Sequence, residues 1–155
     1  MKRGAEPAEA GPADIREAAT RWLARREYAR IELARRLTRR GFPSGLVDEV
    51  LNELQEENLL SDERFAESFI SARAGRGQGP ARIRRELRER GVAGVLADEA
   101  LAEADADWMA LARAVRVKRF GAAAPEGFPE RARQMRFLHY RGFTEAQIRA
   151  ALGED

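Results

Sequence analysis

The chain has no cysteine and a single histidine, His139, among its 155 residues. That removes disulfides, thiolate metal ligands and cysteine nucleophiles together, and leaves no second imidazole for a zinc site. His139 has no carboxylate nearby at metal-ligand spacing, so neither a metal nor a serine triad can be assembled around it, and no cofactor is expected. Aromatic residues make up only 7% of the chain. β-Branched residues are few and nowhere alternate with polar ones, so strand signals are absent. No apolar run approaches the length of a membrane span, and the segment from Met1 to Pro7 lacks the apolar core of a signal peptide. A cytoplasmic protein without membrane association is expected. Adjacent acids such as Glu56 and Glu57, or Asp98 and Glu99, lie in acid-rich helical stretches where charge usually marks a solvated face, so no enzyme is expected.

Charge is abundant instead, with 28 basic and 26 acidic residues, and it is sorted along the chain. Residues 21–40 are rich in arginine, including Arg35, Arg36, Arg39 and Arg40, and the following stretch turns acidic through Asp48, Glu49, Glu53 and Glu56. Arginine returns at Arg73, Arg76, Arg82, Arg84, Arg85 and Arg88, gives way to Asp98, Glu99 and Glu103, and comes back through Arg113, Lys118, Arg119, Arg136 and Arg141. The alternation follows a repeat. Leu, two variable residues, Arg, Gly and an apolar residue occur at Leu37 to Phe42, Leu87 to Val92 and Leu138 to Phe143, a period of about fifty residues. Each Gly follows a helical run ending in Arg, as expected of a left-handed stop residue, and the apolar residue after it is placed to pack back on the helix just left.

Helical apolar spacing and cap residues predict nine helices in three units. A flexible leader is expected over residues 1–13, with the first helix capped by Asp14 and three-helix repeats at 14–60, 61–104 and 105–155. Pro43 and Ser44 start the third helix, Ser61 caps the fourth, Pro80 opens the fifth, and Thr144 with Gln147 forms a capping box for the last. Val95, Leu96 and Leu101 mark the sixth helix. Trp22, Phe65, Phe69 and Trp108 fall at core spacing in the first helix of each unit. The expected fold is all-α, three tandem three-helix repeats stacked into an elongated, curved solenoid-like body, and a monomer. Two loops, Gly75 to Pro80 and Gly121 to Pro129, are expected to be mobile. The first lacks the Lys-Ser or Lys-Thr pair and preceding strand of a phosphate-binding P-loop. Through Arg73, Arg76 and Arg82 it either touches a nucleic-acid phosphate or an acidic protein surface, or it is a plain hinge.

On the second helices, Leu33 with Leu37 and Ile83 with Leu87 form the inward stripe. Arg35 and Arg39, or Arg85 and Arg88, then project away from it, while Arg36, Arg40, Arg84 and Arg90 flank it. Acidic partners at i, i+4 spacing look sparse. A basic stripe repeated from unit to unit suits a polyanion or an acidic groove.

The block Ser61-Asp62-Glu63-Arg64-Phe65-Ala66-Glu67-Ser68-Phe69, continuing through Arg73, Gly79-Pro80, Ile83, Glu86-Leu87 and Arg90-Gly91-Val92, resembles the RecX family of recombination regulators. Arg26, Tyr28, Glu32-Leu33, Arg36-Leu37 and Arg40-Gly41-Phe42 are similar to that family's first repeat, as Arg136-Phe137-Leu138 and Arg141-Gly142-Phe143 are to its last. Ala29 departs from the pattern where the family usually has a serine, a helix cap, and His139-Tyr140 replaces more basic residues. The resemblance implies a protein that binds the RecA recombinase, chiefly as its nucleoprotein filament, and negatively modulates filament growth, ATP hydrolysis and strand exchange. It also implies weak binding of single- or double-stranded DNA in some members. The expected contacts are Arg35, Arg39, Arg40, Arg73, Arg76, Arg82, Arg84, Arg85, Arg88 and Arg136. The alternative is an architectural DNA-binding protein in which one helix of each unit acts like the recognition helix of a helix-turn-helix.

Overall fold

The computed structural model describes residues 11–154. Among them are nine helices and no strand: α1 (Pro12–Leu23), α2 (Arg30–Arg39), α3 (Ser44–Glu56), α4 (Asp62–Gly75), α5 (Pro80–Glu89), α6 (Gly94–Glu103), α7 (Trp108–Phe120), α8 (Gly127–Tyr140) and α9 (Glu145–Ala151). The three Arg-Gly stops end α2, α5 and α8 in the same way, with Gly41, Gly91 and Gly142 at φ of 94°, 87° and 96°. In that left-handed conformation the next N–H turns back on the helix. Phe42 N donates to Leu37 O at 3.3 Å and Phe143 N to Leu138 O at 3.2 Å, the expected closure between the apolar residue after the stop and the leucine five residues before that residue.

Helix starts are set by equally local chemistry. Ser61 Oγ accepts from Arg64 N, and Thr144 and Gln147 exchange hydrogen bonds at the head of α9. Asp107 caps α7 by accepting from Ala110 N. At α1 the structure corrects the expected boundary. Of the expected leader, residues 1–10 lie outside the described residues, and Pro12 and Ala13 are already helical. Asp14 is not the cap itself but the third helical residue, whose carboxylate accepts from Gly11 N at 3.0 Å. Proline is well suited to the first helical position, which moves the start forward.

Ala29, where a serine cap is missing, offers no side-chain bond to α2. The leading N–H groups find acids instead: Glu32 accepts from Ala29 N at 3.3 Å, and Asp62, thirty-two residues away, accepts from Arg30 N at 2.8 Å. A cap lost in the local sequence is thus supplied by the start of α4.

The chain divides into two compact units, the boundary falling inside α4. The first runs to Ala66 and takes in Arg90–Ala93; the second holds Glu67–Glu89 and the described residues from Gly94 on. In the first unit, Ile15, Ala19 and Trp22 of α1 pack with Leu33 and Leu37 of α2 and with Val47, Leu51 and Leu54 of α3. Each of these leucines is fully buried, which stabilises by about 1.5–3 kcal/mol per side chain. In the second unit one core joins Ala112 and Val115 of α7, Leu138 of α8, Phe143, and Ile148 and Leu152 beside α9. Phe65 and Phe69 are buried as expected, Trp108 is half-buried, and Val95 departs from expectation at 71% exposed. On α6 the fully buried position is Ala97, which turns Val95 outward.

Candidate functional site

α2 presents the most open group of cations. Leu33 and Leu37 anchor its inner face, and Arg35 and Arg39 stand exposed on the other. Neither has an acidic partner among the described residues; Arg39 Nε donates only to the Arg35 carbonyl, at 3.4 Å. Arg40, the C-cap, lies 5.6 Å from the centre of the Trp22 ring, and Arg36 lies 4.0 Å from the same ring. Arg36 also donates to the Tyr28 hydroxyl at 2.6 Å. Trp22 therefore does two things: it fills the core, and its ring face holds guanidinium groups by cation–π attraction. Arg40 is held in place without its charge being neutralised.

α5 differs. Arg84 grips Asp98 of α6 through two hydrogen bonds, at 2.6 and 3.3 Å. That bond, with the charges of Arg84 and Arg88, holds the Asp98 carboxyl below the usual carboxylate range. Arg82 pairs with Glu86 at 3.2 Å, and Arg73 lies 3.5 Å from the same carboxylate. The Glu86 oxygen facing Arg73 is buried and makes no hydrogen bond, so that contact is purely electrostatic. Arg85 pairs with Glu89 at 3.9 Å in the open, a contact that water screens almost completely. The expectation of a uniform, sparsely paired arginine stripe holds for α2 and is corrected for α5, where Glu86, Glu89 and Asp98 offset much of the charge.

The Gly75 to Pro80 segment is not the mobile loop expected from its glycines. α4 extends through Gly75, and Gly77, Gln78 and Gly79 are buried. Gly79 N donates to Arg141 O at 2.8 Å and Ala81 N to Gly142 O at 2.9 Å, while Arg141 Nη1 donates to Arg76 O at 3.3 Å. The third Arg-Gly stop thus seats on the head of α5. A Cβ on Gly142 would lie 2.7 Å from Arg82 N, and one on Gly79 would run into the Gly142 backbone. The second stop also packs closely in the first unit, but against a side chain: a Cβ on Gly91 would lie 2.6 Å from Ile31 Cδ1 on α2. There Arg90 Nη1 also donates to Glu32 at 3.1 Å.

The segment after Gly121 is likewise tied down. Arg116, only 7% exposed, donates to the carbonyls of Ala122 and Ala123 and to the Gln134 side chain. Of the remaining candidates, Arg136 is exposed on α8 without an ion-pair partner among the described residues, and Arg76 is exposed at the end of α4. Near Arg76 lie Lys118 and Arg119, cations passed over because they sit on α7 and off the second helices, and Arg141, the arginine of the third stop. His139 is exposed in the last turn of α8. No helix among the described residues is long and apolar enough to cross a membrane.

Family models for RecX match nearly the whole described chain: its first three-helix domain over residues 16–54, its second over 61–101 and its third over 105–152. A protein of Halorhodospira halophila named "Regulatory protein RecX" is 55% identical over 145 residues, covering 92% of this chain and 90% of its own length. A Pseudomonas putida protein of the same name is 47% identical over 137 residues, 88% of each chain. Among solved structures, RecX from Lactobacillus salivarius superposes with a TM-score of 0.78 at 19% identity, over 92% of this chain and 94% of that one, a likeness of fold.

Proposed function

Because the chain belongs to the RecX family of regulatory proteins, we propose that it binds the RecA recombinase, principally as the nucleoprotein filament, and restrains filament growth, ATP hydrolysis and strand exchange. It does so as a non-catalytic monomer in the cytoplasm, built from repeats at residues 14–60, 61–104 and 105–155. The observation that carries this reading on the chain itself is the α2 ridge. Arg35, Arg39 and Arg40 are exposed and without an acidic partner among the described residues, on a helix whose inner face is locked by two fully buried leucines. Such a ridge lacks counter-charges and gains most from an acidic protein surface. Arg73, Arg82, Arg84, Arg85, Arg88 and Arg136 contribute at the margins, the first four after exchanging their internal acids for the partner's.

The test is RecA ATPase on single-stranded DNA with this protein titrated in. The unmodified chain inhibits at or below equimolar ratio; no inhibition there overturns the function. Arg35→Glu with Arg39→Glu weakens inhibition at least tenfold with an unchanged urea midpoint, since both side chains are exposed. Inhibition retained by that variant removes α2 from the contact.

A further inference from the structure

The basic residues of this chain are almost all arginine; the lysines are Lys2, outside the described residues, and Lys118, exposed on α7. The difference is chemical. A guanidinium stays charged and is no nucleophile, whereas an amine can lose its proton and attack a carbonyl carbon. With cysteine absent, no thiol competes for that chemistry. Lys118 stands in a distinctive place, wholly within the second unit, where the turn after α4 and the helices α7 and α8 enclose an open cleft of about 650 Å³. Arg76, Lys118, Arg119 and Arg141 form a basic rim over an apolar floor that includes Val115 and Phe137. No carboxylate lines the cleft, and none of the four cations has an ion-pair partner among the described residues. Arg119 and Arg141 lie 5.6 and 5.4 Å from the centre of the Phe137 ring, and Arg141 donates to the Arg76 carbonyl at 3.3 Å, so the guanidinium groups are held at the rim in advance.

We infer that Lys118 is a site of acylation by acyl phosphates, small dianions that the rim arginines hold beside its amine. The inference goes beyond the RecA reading, which rests on α2, and does not depend on it. Unpaired guanidinium groups capture a phosphate dianion by charge-assisted hydrogen bonds and cannot themselves take the acyl group. In an acyl phosphate the carbonyl carbon is one oxygen away from phosphorus, so anchoring the phosphate delivers the carbonyl to an adjacent amine, and the apolar floor accepts the acyl chain. In a thioester of a nucleotide-bearing carrier the phosphates lie far from the acyl carbon, and the same arginines would hold them without presenting it. The Lys118 nitrogen forms the bond to the carbonyl carbon, the carbon–oxygen bond to the phosphate breaks, and phosphate leaves with that electron pair. Of the two protons the ammonium sheds, one leaves on the phosphate as hydrogen phosphate and the other passes to water. Nothing is oxidised or reduced. The product amide is uncharged, so the rim loses one cation and keeps its arginines.

The experiment incubates the full chain with acetyl phosphate and, in parallel, with N-acetylimidazole, an uncharged acetyl donor, and follows each lysine by peptide mass spectrometry. Dividing the acetyl phosphate rate by the N-acetylimidazole rate at the same lysine cancels exposure and basicity and leaves the capture of the anion. That ratio should be about tenfold higher at Lys118 than at Lys2, the effect of one charge-assisted hydrogen bond. Arg76→Gln with Arg119→Gln should bring it down to the Lys2 value. Both side chains are exposed, so circular dichroism of the variant should match the parent. Excess inorganic phosphate should slow the acetyl phosphate reaction at Lys118 in the parent and not in the variant. No RecA is present, so a failure here leaves the RecA reading standing. The inference is overturned if the ratio is equal at the two lysines, if the double variant keeps the parent ratio, or if acetyl-coenzyme A shows the same preference for Lys118 as acetyl phosphate.

Discussion

Replacing Gly142 with alanine puts the seating of the third stop on α5 to a quantitative test. Two separate costs arise. The first is conformational: at φ of 96° a Cβ meets its own backbone, for about 1–2 kcal/mol. The second is contact, because the new Cβ would lie 2.7 Å from Arg82 N and 3.0 Å from Arg82 Cα, atoms that move only with the helix. Relieving that overlap lifts the stop off α5 and breaks the bonds from Gly79 N to Arg141 O and from Ala81 N to Gly142 O. Gly79 is buried and its N–H loses its partner at about 1–3 kcal/mol, while Ala81 is exposed and loses about 0.5–1.5 kcal/mol. The contact cost is thus about 1.5–4.5 kcal/mol. Gly153→Ala is the control, since Gly153 has a similar φ of 79° with nothing within 4 Å of a new Cβ, and carries the conformational cost alone. Equilibrium urea unfolding followed by circular dichroism should place Gly142→Ala about 1.5–4.5 kcal/mol below Gly153→Ala, with each kcal/mol lowering the melting temperature by about 2–4 °C. Two variants within about 0.5 kcal/mol of each other would refute the contact argument, because additivity errors alone reach that size.

Removing the distant cap of α2 with Asp62→Ala should lower stability by about 1 kcal/mol, read as a fall in the urea midpoint; no change would mean water replaces the carboxylate at Arg30 N without loss. Asp98→Asn removes the partner of Arg84 and should strengthen inhibition of RecA ATPase a few fold, whereas unchanged or weaker inhibition takes Arg84 out of the contact. Acid titration tests the surface pairs. The carboxyls of Glu57, bonded to Arg16 at 2.7 Å, and of Asp98 titrate below the ordinary range in the folded chain, so they favour folding above the unfolded carboxylate pKa of about 4 and lose that effect as pH falls through their lowered values. Their contribution to the melting temperature should be constant between about pH 7 and 5 and fall away below about pH 4, and Glu57→Gln should shallow that drop; an identical acid limb in the variant would discount the Arg16 pair.

The helices and their ends were legible because the signals are local. Arg-Gly stops, the Thr144 and Gln147 box and the Pro80 start act within one turn of chain, and period alone identified Leu33, Leu37, Ile83 and Leu87 as buried. Some shortfalls are local, since Glu86 and Glu89 are i, i+4 partners of Arg82 and Arg85, but the others involve partners remote in the chain. Asp98 lies fourteen residues from Arg84, so no i, i+4 rule pairs them. Glycines at 75, 77 and 79 suggest mobility by composition, yet the segment is held by Arg141 and Gly142, more than sixty residues on. Arg76, Lys118 and Arg141 belong to three different segments, and only folding brings them to one rim. Trp22 was correctly placed in the core, but its second role, holding Arg36 and Arg40, depends on the crossing of α1 and α2.

The seating of the third stop on α5 asks little of side-chain identity. Its requirements are a residue without a Cβ at Gly142 and the backbone of the helix head at Arg82, whereas the second stop, at Gly91, meets the side chain of Ile31. A coupling made of main chain is indifferent to what decorates the helices it joins. Repeated segments can therefore differ in surface character and still fit: Arg35 and Arg39 of α2 are exposed without an acidic partner among the described residues, while Glu86, Glu89 and Asp98 pair with arginines of α5. Modularity of this kind separates what sets shape from what sets charge, so that one repeat can present cations where the next masks its own.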